Sequence, residues 1–442
     1  MVAAPATGQG KTTVAAGLMA ALAARGLTLS GHKVGPDYID PGYHALACGR
    51  PGRNLDPHLV GEHRVVPLLL HGAARPTPAD VAVVEGVMGL FDGRVGDAGF
   101  SSTAHVATLT RSPVLLVVDV STASRSVGAV VHGMATWDPA IRVAGVILNK
   151  VGSPRHAEEV RSSISLPVIG AIPADRSVSV PSRHLGLVPA AERGVPAADL
   201  RRLGEHIAAH VDLGAVLELA RTAPDLDEPA WNPAAEVVTP PAPAARPVVA
   251  VAGGRAFTFR YAETDELLRA AGCDVAVFDP VHDTALPTGT KAVYLGGGFP
   301  EVHADRLAAN TRLRAELATA VADGVPTVAE CAGLLYLART LDGAPMVGAL
   351  PVTARMHERL VLRYPVATAA SDSLLTREGE QVTGHEFHRT RTSPRHGRRA
   401  AWIVDGEPEG FTSPTLHASY LHTHWAGHPQ LAGRLAAAAA EG

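Results

Sequence analysis

MVAAPATGQGKTT, residues 1–13, closes on Gly10-Lys11-Thr12, the end of the pattern G-x-x-x-x-G-K-[ST], with Pro5 standing where the first glycine usually falls. Backbone N–H groups of such a loop wrap phosphate, the lysine neutralises β/γ oxygens, and the next hydroxyl can hold Mg²⁺. A glycine-rich turn before a chance lysine is the competing reading. The helical run AAGLMAALAARG (15–26) directly after it argues for the phosphate loop. Gly8, Gly10, Lys11, Thr12 and Thr13 are therefore expected to bind nucleotide. So few residues precede the loop that its strand is expected either to be very short or to begin upstream of residue 1.

From this loop outward, the chain alternates short aliphatic runs with helical segments. VAVV (81–84), VLLVV (114–118), VAGVIL (143–148) and LPVIGAI (166–172) suit strands buried on both faces of a parallel sheet. The proline-rich stretch 223–247 reads as an extended linker. Alternation then restarts with VVAVA (248–252), a helix near 261–271, DVAVF (274–278), KAVYL (291–295), a helix over 303–322 and VPTVA (325–329). Two α/β domains, 1–222 and 248–442, are expected, in keeping with a length of 442 residues. A net charge of -4 without a basic block gives no footprint for nucleic acid or an anionic membrane, and no run is long enough to suggest a membrane span. Three scattered cysteines argue against a disulfide framework and fit a reducing cytoplasm.

Carboxylates accompany the loop. HKVGPDYIDPGYH (32–44) carries Asp37 and Asp40 in a turn after a short strand, and VVEGVMGLFDG (83–93) puts Glu85 at a strand end and Asp92 in a glycine-rich loop. Carboxyl ends of parallel strands gather in one crevice, so Thr12, Asp37 and Glu85 could share one Mg²⁺–ATP. Asn149, at the end of GVILNK (145–150), reads equally as an adenine contact or a polar strand-end cap.

The second half carries YLGGGFPE (294–301) and AECAGLLYL (329–337). A cysteine between a strand and a helix sits on a tight elbow, where the helix N-terminus is expected to lower the thiol pKa and backbone amides to hold an oxyanion. Cys331 is thus the candidate nucleophile, and Cys48 and Cys273 read as inert core residues. His422 in HASYLHTHWAGHP (417–429) is the candidate base. Clustered histidines there and in GHEFHRT (384–390) also raise a metal site, but without carboxylate or thiolate ligands at a strong zinc spacing.

Taken together, APATGQGKTT (4–13), KVGPDYIDP (33–41), GRPGRNLDP (49–57), VVEGVMGLFDG and RHLGLVPAAE (183–192), with LGGGFPE (295–301), AECAGLLYL, GHEFH and SYLHTHW (419–425), resemble the cobyrinic acid a,c-diamide synthase family. The resemblance implies a dethiobiotin-synthetase-like P-loop domain followed by a class I glutamine amidotransferase domain of flavodoxin-like α/β fold. It implies ATP-dependent activation of the c and a acetates of a corrin-type tetrapyrrole acid and amidation by ammonia from glutamine, within cobalamin biosynthesis, with Mg²⁺. By the same resemblance Asp37, Asp40 and Asp92 serve the ATP and substrate crevice, Gly297 and Gly298 the glutamine oxyanion, and Cys331 with His422 glutamine hydrolysis; a homodimer is allowed. His424 stands where many class I amidotransferases place a glutamate. Rival readings are a relative that amidates another tetrapyrrole acid (cobyric acid or nickel-sirohydrochlorin), a positioning ATPase of the related P-loop group, and a stand-alone cysteine hydrolase. The GC-rich residue bias leans toward the cobalt-free acid, hydrogenobyrinate.

Overall fold

The computed structural model describes residues 1–175, 182–183, 186–187, 197–237 and 246–442. It divides into two compact units, Met1–Trp231 and Asn232–Gly442.

The first unit is built on a seven-stranded parallel sheet of order β3-β2-β4-β1-β5-β6-β7. Its strands are β1 (Val2–Ala3), β2 (Leu29–Val34), β3 (Arg53–Leu55), β4 (Val81–Glu85), β5 (Val114–Asp119), β6 (Val143–Val151) and β7 (Val168–Pro173). The very short strand is β1, and it lies at the centre. It is held there by bonds beyond the ladder: Gly86 N donates to Val2 O (2.8 Å), Leu90 N to Ala4 O (2.8 Å) and Leu115 N to Met1 O (2.7 Å). Helix α1 (Lys11–Ala24) follows the loop, with Gly10 as its N-cap at φ 94°, a left-handed conformation that glycine adopts without strain. Helix α2 (Asp40–Cys48) leaves the 36–39 turn and lies against β2. A Cβ added at Gly31 would stand 2.6 Å from the His44 Cβ, so glycine at that point lets α2 press His44 onto the sheet.

In the second unit the six-stranded sheet runs in the order Asp274–Phe278, Val248–Ala252, Thr290–Leu295, Thr327–Glu330, Leu416–Ser419, Phe411–Thr412, parallel except for the last. That is a doubly wound, flavodoxin-like order. A second, eight-stranded sheet between residues 340 and 423 was not legible in advance. Its long strands, TARMHERLVLR (353–363) and QVTGHEFHRTRTS (381–393), mix charge with apolar residues and offer no aliphatic run.

Two expectations are corrected. The helix over 303–322 is broken into Ala304–Ala309 and Thr311–Ala322, because Asn310 leaves helical geometry, caps the second helix at Leu313 N (3.4 Å) and donates to the carbonyls of Pro280 (2.9 Å) and Asp283 (2.7 Å). Part of the 223–247 stretch is structured: Trp231 is buried edge-on against His71 (ring centroids 5.1 Å apart), and Asn232 caps a turn of helix at Pro233–Glu236. Residues 238–245, and most of the motif at 183–192, lie outside the described residues.

Candidate active sites

At the carboxyl ends of β1, β2 and β4, the first unit gathers its loop and its acids. The Thr12 hydroxyl donates to Glu85 Oε1 (2.6 Å) and Asp40 Oδ2 (3.2 Å). Lys11 Nζ lies on the Ala6 carbonyl (3.2 Å) and on that of Met88. Two residues that the sequence reading passed over complete the cluster. Lys33 Nζ bridges Asp40 Oδ2 (2.7 Å) and Glu85 Oε1 (2.8 Å), and His44 Nε2 meets Glu85 Oε2 (2.7 Å). A lysine one residue before the end of a fully buried strand, and a histidine four residues after Asp40 on α2, were the available signals.

These contacts set the charges. Burial alone would raise the Glu85 carboxyl, but Lys33 and His44 hold it far below the usual range. Burial, then Asp37 and Glu85, push Asp40 well above its usual range, against the pull of Lys33. Burial, reinforced by Lys33, lowers the Lys11 ammonium to about 8.

One expectation changes here. Asp40, not Asp37, reaches Thr12; Asp37 Oδ1 instead accepts from the Ile39 (2.7 Å) and Asp40 (3.0 Å) amides and fixes the turn that starts α2. Asp92 holds its own loop through Gly89 N (2.9 Å) and lies near enough to Lys11 to favour its charged form, so it stays at the crevice where it was expected. Asn149 Nδ2 donates to Gln9 O (2.9 Å) and its Oδ1 accepts from Lys150 N (3.0 Å), so the side chain ties the end of β6 to the phosphate loop. Gly8 lies in the loop at φ 83°, and Thr13 sits half-buried in the first turn of α1.

Among the described residues no three His, Cys, Asp or Glu side chains gather as a metal cage. The Thr12, Asp40 and Glu85 oxygens nonetheless converge on one point next to the loop, where the Lys33 ammonium already sits as a cation. That donor set fits a hard ion whose other ligands are phosphate and water. Glu85→Gln should cost about 1–3 kcal/mol of stability as well as ATP use, since it removes one of the two carboxylates on the buried Lys33 and leaves Asp40 as its remaining ion-pair partner; chemical denaturation of both proteins gives the difference.

The second site forms where Thr327–Glu330 and Leu416–Ser419 end side by side, with Glu330 opposite Ser419. Cys331 follows at φ 48°, ψ -97°, a strained elbow for a residue with a Cβ, and its amide donates to Ser419 O (2.8 Å). The 296–298 loop meets the helix that follows Cys331 on one side and His422 on the other. Gly333 N donates to Gly296 O (3.0 Å), and a Cβ at Gly297 would lie 2.3 Å from His422 Cε1, so only glycine fits beside the base.

The elbow does not activate the thiol as expected. Burial pushes Cys331 well above its ordinary range, and Glu301 and Glu386 add to it; the Ala332 amide, the helix contribution, is outweighed. Burial, then His388, lowers His422 to about 3, against Glu386. At neutral pH Cys331 is therefore a thiol and His422 a neutral imidazole in the resting protein.

In this structure the Gly297 amide donates to Phe259 O (3.1 Å), and Gly298 lies in the same loop with space for a Cβ denied by Ala256 O (2.1 Å). His422 and His385 stack face to face at 4.8 Å and 10°, whereas His424 stacks on Tyr261 at 4.0 Å and points Nε2 toward Glu263 (3.7 Å). Glu330, directly before the nucleophile, is raised to about 7 by burial and accepts from Thr423 and Tyr294.

A phosphate loop on one sheet and a cysteine elbow on another combine a nucleotide-binding domain with a glutamine amidotransferase, the make-up of a glutamine-dependent carbon–nitrogen ligase. Family models agree: residues 1–188 match the CobQ/CobB/MinD/ParA nucleotide binding domain, and residues 248–430 the CobB/CobQ-like glutamine amidotransferase domain. The chain is 61% identical over 455 residues to the hydrogenobyrinate a,c-diamide synthase of Thermobifida fusca, covering 99% of this chain and 96% of that protein. It is 51% identical to the protein of that name from Streptomyces coelicolor (98% and 96% covered), and 44% identical to the cobyrinate a,c-diamide synthase of Gloeobacter violaceus (96% and 93%). The chain belongs to the cobyrinate and hydrogenobyrinate a,c-diamide synthase family. No helix among the described residues is long and apolar enough to cross a membrane.

Proposed function

We propose that this protein converts the a and c acetate carboxylates of hydrogenobyrinate to amides, using ATP and glutamine, as a step of cobalamin biosynthesis. The observation that carries the choice of the metal-free acid is the 61% identity, over nearly the whole chain, to a relative named for it. In the first unit a substrate carboxylate oxygen attacks the γ-phosphorus and ADP leaves, with Lys11 neutralising charge on the transferred group. Thr12, Asp40 and Glu85 would hold Mg²⁺, which supplies charge neutralisation at the phosphates when bound. In the second unit Cys331 Sγ attacks the glutamine amide carbon while its proton passes to His422 and on to the leaving nitrogen. Ammonia leaves, and water hydrolyses the thioester to glutamate. Ammonia then attacks the acyl phosphate, and phosphate departs. The free cysteines Cys48, Cys273 and Cys331 support a reducing, cytoplasmic setting.

The deciding assay supplies ATP, Mg²⁺ and glutamine with hydrogenobyrinate or with cobyrinate and reads product mass. Double amidation of hydrogenobyrinate, at a higher kcat/KM than that of cobyrinate, is expected. Preference for the cobalt-containing acid would reverse the substrate assignment, and amidation of neither would remove it.

A further inference from the structure

We propose that Glu330 is a positioning residue that clamps the two halves of the glutamine site, tying the strand that delivers Cys331 to the strand that delivers His422. The inference rests on the reading above that Cys331 and His422 hydrolyse glutamine, and it extends that reading to a carboxylate outside the dyad.

Glu330 ends its strand one residue before the elbow and is buried. Its Oε1 accepts from Thr423 Oγ1 (2.7 Å) and, more weakly, from Thr423 N (3.4 Å), while Oε2 accepts from the Tyr294 hydroxyl (2.9 Å). Thr423 is the residue directly after His422, and its hydroxyl in turn accepts from Trp425 Nε1 (3.1 Å). One carboxylate thus joins the strand Thr290–Leu295, the nucleophile strand Thr327–Glu330 and the pair His422–Thr423. Such a junction has a purpose at this point. Cys331 occupies a backbone conformation that survives only where its surroundings over-determine it, and His424 points toward Glu263. The His422 ring is held on its face by His385, and its backbone by Glu330, which accepts from Thr423 and ends the strand that leads into Cys331. A buried carboxylate kept only for stability would be poorly chosen, because an apolar group of similar volume is often as stabilising.

The test measures glutamine hydrolysis and ammonia-supported synthesis for the full-length protein and for Glu330→Gln, Thr423→Val and Thr423→Ser. Gln keeps the shape but offers one acceptor oxygen in place of two; Val deletes the donor; Ser retains it. A misplacement of the pair of the order of 1 Å costs about a hundredfold. Glu330→Gln and Thr423→Val should accordingly lower kcat for glutamine hydrolysis about tenfold to a hundredfold, with KM for glutamine and ammonia-supported synthesis within about threefold of wild type. Thr423→Ser should restore most of kcat. Unchanged kcat in the first two variants overturns the proposal. So does a parallel loss of ammonia-supported synthesis, which marks a fold defect, or a failure of Ser to rescue. Absent glutaminase in the wild-type protein itself would instead sink the functional reading, and the clamp with it.

Discussion

Cys331→Ala is expected to lower glutamine-supported synthesis by at least about 10⁴-fold while ammonium chloride still drives synthesis at the wild-type rate. The nucleophile lies in one sheet system and the phosphate loop in another, each with its own core, so deleting Sγ removes the nitrogen supply and leaves carboxylate activation in place. His422→Ala should follow the same pattern, since a raised thiol gains nothing from a missing base. His424→Ala serves as the control: its ring is packed on Tyr261 and turned to Glu263, and its loss should slow glutamine hydrolysis by less than about tenfold. Product mass with each nitrogen source gives the comparison. Retained glutamine-driven activity in Cys331→Ala, or loss of ammonia-driven activity in a folded protein, would end the two-site reading. Equal collapse of both histidine variants would move the base assignment.

Lys11→Ala should abolish synthesis with either nitrogen donor, by about 10²–10³-fold, the cost of losing a preorganised charge at a transferring phosphoryl group. Unlike an exposed lysine, Lys11 is already loosened from its proton by burial and by Lys33, with a pKa near 8. In the free enzyme the ammonium form is full below that value and is lost above it, so kcat/KM for ATP should fall as pH rises through about 8. Substantial ammonia-dependent synthesis by Lys11→Ala would remove this assignment, and an ATP profile flat from pH 7 to 9 would remove the lowered ammonium pKa alone.

What could be read from the sequence was whatever the chain states in contiguous form. The phosphate loop needs only neighbouring amides and one lysine, the parallel sheets announce themselves as aliphatic runs buried on both faces, and a strand-cysteine-helix elbow is spelled within nine residues. The parallel strands of the second unit follow from the same alternation, while their flavodoxin-like order was implied by the family resemblance. The antiparallel sheet did not show, because one-sided burial lets its strands carry charge.

Tertiary structure alone decided the chemistry that depends on distant neighbours. Asp37 and Asp40 are three residues apart in one turn, and only the packing of α2 on β2 determines that Asp40 reaches Thr12 while Asp37 fixes the turn before the helix. Lys33 and His44 gain meaning from Glu85, a partner 52 residues away for the one and 41 for the other. The direction of the Cys331 shift likewise reversed, since burial and the carboxylates of Glu301 and Glu386 outweigh the local effect of the helix start. Local dipoles and hydrogen-bond patterns are written in adjacent residues; desolvation and pairwise charge depend on which distant side chains the fold brings within a few ångströms.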